Sequence, residues 1–166
     1  RDRLLRHPNT KIQQRSAKIF ADATNKDREA VVKKMSPSLD LKGDPTKGRE
    51  LFAAVCSVCH QLDGIGRHIG PDLAGLSDNS STAMLVGILD PNRAIEDKFL
   101  LYNITLNNGE SLAGMIIDES GGSLTLQILD GTTRALLRSE IKSLKSLGLS
   151  AMPEGLEAAL DSQKLA

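Results

Sequence analysis

Two periods of hydrophobic residues divide the chain. Before about residue 97 the apolar side chains favour helices, with stripes at spacings of three or four, whereas from residue 98 they alternate with polar ones, as along a strand. The opening residues predict two short helices, and Pro37 ends the second. The first of these helices has an approximate apolar stripe at Ile12, Ala17, Ile19 and Phe20.

A third helix is predicted to begin after Asp44, a good N-cap residue. Pro45 occupies its first position, where the missing N–H costs nothing. Three residues share one face of this helix at intervals of four: Gly48, Phe52 and Cys56. The glycine-rich residues 61–80 predict a wrapping loop, and "STAMLVGIL" after them predicts a compact helix.

From residue 98 the alternation predicts four strands in two hairpins, "KFLLYNITL" with "ESLAGMIID" and "SLTLQILD" with "TTRALLR". The first hairpin turns at Asn108 and Gly109, and the second at Asp130 and Gly131. After them, "SEIKSLKSL" predicts a short helix, "GLSAMPEG" a loop, and "LEAALDSQKLA" the beginning of a final helix. The pattern therefore predicts a mainly helical protein that contains a small antiparallel sheet.

Aromatic residues are few, and the chain has no tryptophan. Large flat side chains usually anchor a core, so their scarcity leaves room for a bound planar cofactor. The aromatic residues are Phe20, Phe52, Phe99 and Tyr102.

Charge is distributed unevenly although the formal net charge is zero. Residues 1–34 carry ten Lys or Arg against four Asp or Glu, so this arm is basic. With no aromatic platform or glycine-rich loop beside it, we interpret the arm as a solvated helical face and expect no nucleic-acid partner. No apolar run is long enough to span a bilayer, and the start at Arg1 suggests a piece of a longer protein.

The pentapeptide "CSVCH" contains both cysteines of the chain, Cys56 and Cys59, followed by His60. Structural zinc needs four ligands, and His60 is too close to Cys59 to join the same tetrahedron easily. A thioredoxin-like redox pair would open a helix after a strand, whereas this pair ends a helix. Covalent haem is the third possibility, and C-x-x-C-H is its attachment signal.

The spacing of the pentapeptide suits haem chemistry. Cysteines three residues apart are separated by about 5 Å in helical rise, so both can add to the vinyl groups on one edge of a porphyrin. His60 then projects over the ring and can bind the iron. Because bacteria attach haem covalently outside the cytoplasm, an exported, periplasmic protein is expected.

Three segments resemble the class I cytochrome c pattern: "GRELFAAVCSVCH", "GPDLAG" and, much later, "MPEG". The resemblance implies one haem c per chain, with its iron bound by His60. In that family the carbonyl group at the position of Pro71 holds the imidazole N–H, and the leucine at the position of Leu73 packs on the ring. The residues at the positions of Gly48 and Phe52 face the final helix.

The two halves of that pattern are unusually far apart, since His60 and Met152 are separated by 92 positions. With "ILDPNRAIEDKF", "RSEIKSL" and "SAMPEGLEAAL", the whole chain is similar to the haem-binding domain at the C-terminus of large planctomycete and verrucomicrobial membrane-bound dehydrogenase-like proteins. The resemblance implies a mainly α, class I cytochrome c-like haem fold with an inserted antiparallel sheet and an N-terminal helical pair. The expected units are 1–43, the end of a helical-repeat region; 44–97, the half with CxxCH; 98–138, the inserted sheet; and 139–166, the distal-ligand loop with a truncated last helix.

Four methionines compete to be the second axial ligand of the iron. Three lie in helical stripes or a strand and are expected to fill the core: Met35, Met84 and Met115. Met152 lies in a loop before a helix and is followed by Pro153, which is where class I cytochromes present their thioether. His68 is the rival, but in the family arrangement it lies on the same side of the ring as His60.

The functional hypothesis is one-electron transfer without a catalytic residue. A dehydrogenase domain or redox protein would supply the electron, and a downstream carrier would accept it. Two alternatives stay open: a haem-based ligand sensor or peroxidase-like domain in which Met152 is labile or absent, and a docking module formed by the sheet. The short last helix leaves three outcomes open: Phe52 is exposed, the distal loop is weakened, or a second copy of the chain covers the gap beside the short helix.

Overall fold

The computed structural model describes residues 7–22 and 26–166, without the side chains of residues 17–26. Its helices are α1 (Thr10–Asp22), α2 (Lys26–Met35), α3 (Pro45–Leu51), α4 (Ser81–Leu89) and α5 (Ser162–Leu165). Its strands are β1 (Gln61–Leu62), β2 (Ile65–Gly66), β3 (Leu100–Leu106), β4 (Ser111–Glu119), β5 (Ser123–Gln127), β6 (Thr133–Leu137) and β7 (Ile141–Ser150). None of the described helices combines the length and the apolar character needed to cross a membrane.

The two predicted N-terminal helices are present as α1 and α2. α2 continues into a 3-10 turn at Ser36–Asp40 that includes Pro37, and it packs against α4. Ile12 on α1 is exposed, and the other three side chains of the predicted stripe lie outside the described residues.

The large sheet has five antiparallel strands in the order β6-β5-β4-β3-β7. Both predicted hairpin turns are present, and Gly109 and Gly131 adopt φ of 89° and 91°, which L side chains rarely do. Alternate residues of the strands face one side and form a hydrophobic core. Its buried members are Ile104, Leu106, Leu124, Leu126 and Leu136.

The expectation of a mainly α protein is wrong. A five-stranded antiparallel sheet accounts for much of the regular structure of the described residues, and the residues predicted to form a short helix after position 138 form β7 instead. β7 pairs with β3, which places Leu144 opposite Ile104 and Ile141 opposite Leu106. A β-bulge beside Thr105 inserts the extra residue. The three-residue spacing of Ile141 and Leu144, which resembles a helical period, therefore comes from a bulged strand.

The chain end also differs from the predicted final helix. It forms a 3-10 turn at Leu156–Ala158 and then α5, a single helical turn. α5 packs against the 3-10 turn at Ser36–Asp40, and Gln163 donates to the carbonyl oxygen of Lys42 at 3.1 Å. Among the described residues, no atom would lie within 4 Å of a Cβ atom at Gly48 on α3, so none of them packs closely on that glycine. Cover by a second copy of the chain stays a prediction.

Candidate haem-binding site

The helix that delivers the first cysteine is capped as predicted. The Asp44 carboxylate accepts from the backbone N–H groups of Thr46 at 3.0 Å and Lys47 at 3.3 Å. These bonds satisfy two of the free N–H groups at the start of α3. The helix begins at a fixed point just before the CSVCH segment.

A π-helical turn at Phe52–Cys56 extends α3, and the sequence did not predict it. The N–H of Ser57 donates to the carbonyl oxygen of Phe52 at 2.9 Å, while its hydroxyl group donates to that of Ala53 at 2.7 Å. The hydroxyl group thus bonds the carbonyl oxygen that an α-helical N–H of Ser57 would have used. The wider turn sets the direction in which Cys56 leaves the helix. Phe52 is half-buried at its start.

The residues Cys56, Cys59 and His60 lie within one turn of backbone. The carbonyl oxygen of Cys56 accepts from the N–H groups of Cys59 at 3.1 Å and His60 at 2.9 Å. Both cysteines are free thiols and half-buried. Burial raises the pKa of the Cys56 thiol, which is the opposite of the lowered pKa that makes a redox cysteine reactive.

The His60 imidazole is oriented by Pro71. Its Nδ1 lies 2.9 Å from the carbonyl oxygen of Pro71. A carbonyl oxygen only accepts, so Nδ1 carries the proton and Nε2 keeps its lone pair for a metal. Gly70 lies against the ring, and a Cβ there would be 2.8 Å from Cε1 of His60. The backbone at Gly70 therefore lies so close to the imidazole ring that a side chain there would clash with it.

The loop between His60 and Pro71 is folded back by backbone hydrogen bonds. β1 and β2 form a two-stranded hairpin, and the carbonyl oxygen of Cys59 accepts from the N–H groups of Ile69 at 3.0 Å and Gly70 at 2.7 Å. Leu73 follows in a 3-10 turn that Asp72 caps, and its side chain is half-buried. Glycine-rich sequence had predicted only an irregular wrap here.

This loop is anchored on the large sheet. Arg67 donates to the carbonyl oxygen of Asp130 at 3.3 Å, and Ile69 is 5% exposed beside Gly131. A cleft of about 270 Å³ lies between the loop and the sheet, with His68 and Gln127 among its lining residues. His68 is exposed on the same loop as Pro71.

Met152 lies on the loop that follows β7, and its side chain is half-buried. Its N–H donates to the hydroxyl oxygen of Ser150 at 3.1 Å, and the N–H of Ala151 donates to the carbonyl oxygen of Phe99 at 3.3 Å. Of the other methionines, Met115 is fully buried in the sheet, and Met35 and Met84 are half-buried in helices.

Two polar residues that sequence reasoning missed hold this loop. Asn92 bonds both sides of Met152, through the N–H of Ser150 and the carboxylate of Glu154. The buried Arg28 donates to both carboxylate oxygens of Glu157, at 2.6 and 2.9 Å, and to the carbonyl oxygen of Leu89. The hydrogen bond from Arg28 lowers the pKa of the Glu157 carboxyl group.

The motif "DPN" was the available signal for Asn92, since a turn after a helix often carries a capping or bridging amide. Arg28 had no such signal. In the sequence it is one of several basic residues in a helix. Its role is visible only from its partners Leu89 and Glu157, which lie 61 and 129 positions away.

The CSVCH turn fits the chemistry of haem c. It offers two thiols and an imidazole whose Nε2 is free of its own loop, and the Gly70 peptide leaves the ring face clear of a side chain. Porphyrin supplies four nitrogen ligands to iron, so the protein needs to add only axial ones. Among the described residues, no group of three or more His, Cys, Asp or Glu side chains is placed to hold a metal ion.

Comparison with known proteins agrees with this chemistry. Residues 45–98 match the sequence model of the cytochrome c family. A "Cytochrome c-553-like" protein of Synechocystis sp. is 42% identical over 52 residues, which are 31% of this chain and 49% of that protein. The chain therefore spans about half the length of the curated relative it matches. Residues 45–98 are therefore similar to cytochrome c domains, and that family implies a covalently bound haem c with iron.

Proposed function

We propose that this protein transfers single electrons through a haem c whose iron is bound by His60 and Met152. The observation that carries the proposal is the 2.9 Å contact between Nδ1 of His60, at the end of the CSVCH turn, and the carbonyl oxygen of Pro71 on the loop that follows. It presents one oriented imidazole nitrogen beside two free thiols. When bound, the haem supplies the one-electron redox couple, and a histidine–methionine pair raises its potential.

The chain's own residues attach and orient the group in this proposal. Cys56 and Cys59 would hold the group through thioether bonds, Pro71 fixes the tautomer of His60, and the half-buried Leu73 would pack on the ring. Electron transfer needs no acid–base or nucleophilic residue, and we assign none. A cytochrome c domain is generally an electron carrier rather than an enzyme.

The partners we propose are a dehydrogenase domain or separate redox protein as donor and a second carrier as acceptor, in a periplasmic or otherwise exported setting. Support comes from the cytochrome c match, since such domains are typically exported. The similarity to the C-terminal domain of dehydrogenase-like proteins suggests that the donor is attached to the same chain. Fusing the domain to that donor and measuring haem reduction would test the last point.

Attachment is tested first, by maturing the protein in a host that attaches haem c to exported proteins. The intact mass should include one haem per chain, and Cys56→Ser with Cys59→Ser should abolish the addition. Val58→Ala is the matched control, because Val58 also lies between the cysteines and its side chain is 58% exposed. A mature protein with both thiols free would overturn the proposed function.

Ligation is tested by absorption spectra of both oxidation states. Ferric protein should show the far-red band of methionine sulfur bonded to haem iron, and Met152→Ala should remove it. Met84→Leu, a half-buried methionine on α4, should keep the band. A wild-type spectrum without the band, with rapid carbon monoxide binding by the ferrous form, would instead support a ligand sensor.

A further inference from the structure

The side chain of Asn92 bridges the loop that carries Met152. Asn92 Oδ1 accepts from the N–H of Ser150 at 2.7 Å, and Asn92 Nδ2 donates to Glu154 Oε1 at 2.6 Å. These two contacts lie two residues before and two residues after Met152. A single amide group therefore bridges both ends of the short segment that contains the thioether.

The chemistry of the two contacts requires an amide. A backbone N–H needs an acceptor and a carboxylate needs a donor, and asparagine offers one of each. The pair of partners also fixes which atom of the amide is oxygen. Alanine would remove both bonds, and aspartate would keep the first bond while placing a second carboxylate against Glu154.

Asn92 is itself held in place. Asp90 and Pro91, which precede it at the end of α4, are buried. The carbonyl oxygen of Leu89 accepts from Nε of the buried Arg28 at 2.7 Å. Asn92 therefore projects from a well-packed part of the fold, so its two hydrogen bonds can hold the loop in one position.

We propose that Asn92 is a positioning residue for the sixth ligand of the iron, which holds the Met152 loop in the geometry that binds. The inference rests on the proposed function, because it takes Met152 as that ligand. Asn92 bonds the loop on both sides of Met152, so it acts through the loop. The remaining contacts of the loop, from Met152 to Ser150 and from Ala151 to Phe99, keep it folded when the bridge is removed.

Imidazole titration of the ferric holoprotein measures how firmly Met152 stays on the iron, because imidazole must displace the thioether before it binds. Removing the bridge raises the fraction of protein in the displaced form and so lowers the apparent dissociation constant. Asn92→Ala should lower it about tenfold, as expected for one to two lost hydrogen bonds, and should weaken the far-red band. Asn107→Ala is the matched control, since it removes an amide that joins two segments at the edge of the sheet, where it donates to Ser139 at 2.7 Å.

A compensating pair separates positioning from general damage. Asn92→Asp alone should be at least as defective as Asn92→Ala, because the new carboxylate faces Glu154. Adding Glu154→Gln reverses the donor and the acceptor and should restore both the band and the weak imidazole binding. Recovery in the double variant would show that the defect comes from the two lost hydrogen bonds and not from the change of residue at position 92.

The outcomes distinguish failure of the positioning role of Asn92 from failure of the proposed function. A wild-type protein without the far-red band overturns both, since Met152 is then not the ligand. A wild-type protein with the band, and an Asn92→Ala variant with an unchanged imidazole constant, overturns the positioning role alone. If Asn92→Ala does not fold, Glu154→Ala decides, because it removes only the exposed half of the bridge and should lower the constant about threefold.

Discussion

The CSVCH turn and the Met152 loop differ in how far along the chain their supporting contacts reach. His60 is oriented by Pro71, eleven positions away, and the turn itself closes on the carbonyl oxygen of Cys56. The Met152 loop depends on Asn92, 58 and 62 positions from its partners, and is followed by a residue that pairs with Arg28 across 129 positions. The first is thus built mainly from contacts close in sequence, with Arg67 and Ile69 resting its loop on the sheet, and the second is built from packed elements. Damage to the tertiary structure should reach Met152 before it reaches the attachment turn.

Removing a core side chain of the large sheet gives the largest expected effect. Leu126 is fully buried in the sheet core, so Leu126→Ala should lower the free energy of unfolding by about 3 kcal/mol. The Met152 loop follows β7 directly and should loosen, whereas haem attachment should persist. Denaturant unfolding, the far-red band and the intact mass measure the three quantities. Leu137→Ala, at a side chain that is 55% exposed on the neighbouring strand, is the control.

If Leu126→Ala prevented haem attachment but left the methionine band intact in the fraction that matured, the proposed contrast between the two regions would be wrong.

Breaking the Arg28 ion pair should be the next largest change. Arg28→Met leaves the carboxylate of Glu157 without its partner, and the two side chains are only 9% and 23% exposed. We expect a loss of about 2–3 kcal/mol in unfolding free energy, because a charge is then left partly buried and unpaired. Arg138→Met, which breaks the exposed pair with Glu119 in the sheet, should cost less than about 1 kcal/mol. Equal losses of unfolding free energy in the two variants would show that the Arg28–Glu157 pair does not stabilise the chain that follows Met152.

A substitution at Gly70 tests how the His60 ring is held, in contrast with the Met152 loop. Gly70→Ala places a Cβ against the His60 ring, so the imidazole must shift and its bond to Pro71 must lengthen. We expect about 1–2 kcal/mol of destabilisation from this overpacking, together with a changed spectrum of the ferrous protein. Gly75→Ala is the control, because a Cβ there meets no atom within 4 Å. An unchanged spectrum in Gly70→Ala would mean that the ring is not held as described.

The smallest expected effect is a pH dependence of the unfolding free energy that comes from the Arg28–Glu157 pair. The Arg28 hydrogen bond lowers the pKa of Glu157 in the folded protein below its usual value of 4.5. A lowered pKa stabilises the fold above the unfolded pKa, and this stability is lost as pH falls through the folded one. Wild-type stability should therefore drop more steeply than that of Arg28→Met when the pH is lowered below about 4.5. Parallel unfolding curves at pH 7 and in this acidic range make the measurement.

Local signals in the sequence determined the helix that leads to the CSVCH turn and the hairpin turns of the large sheet. The Asp44 cap, the start of α3 at Pro45 and the two glycine turns of the sheet each follow from a few adjacent residues, and all are present. The C-x-x-C-H spacing likewise predicted haem, which the cytochrome c match to residues 45–98 supports. These features could be predicted because caps, tight turns and a one-turn attachment motif are satisfied by near neighbours.

Tertiary structure decided the rest. Ile141 and Leu144 have a helical spacing, yet β3 had a free edge that could pair with them, and the bulge adjusted their register. The chain end formed a 3-10 turn and α5, a single turn against the segment before α3, instead of the predicted start of a final helix over residues 156–166. Asn92 and Arg28 gained their roles only when α2, α4 and the chain end came together. Sequence alone determines the elements that close on themselves, while strand pairing and buried polar contacts depend on distant partners that folding brings near.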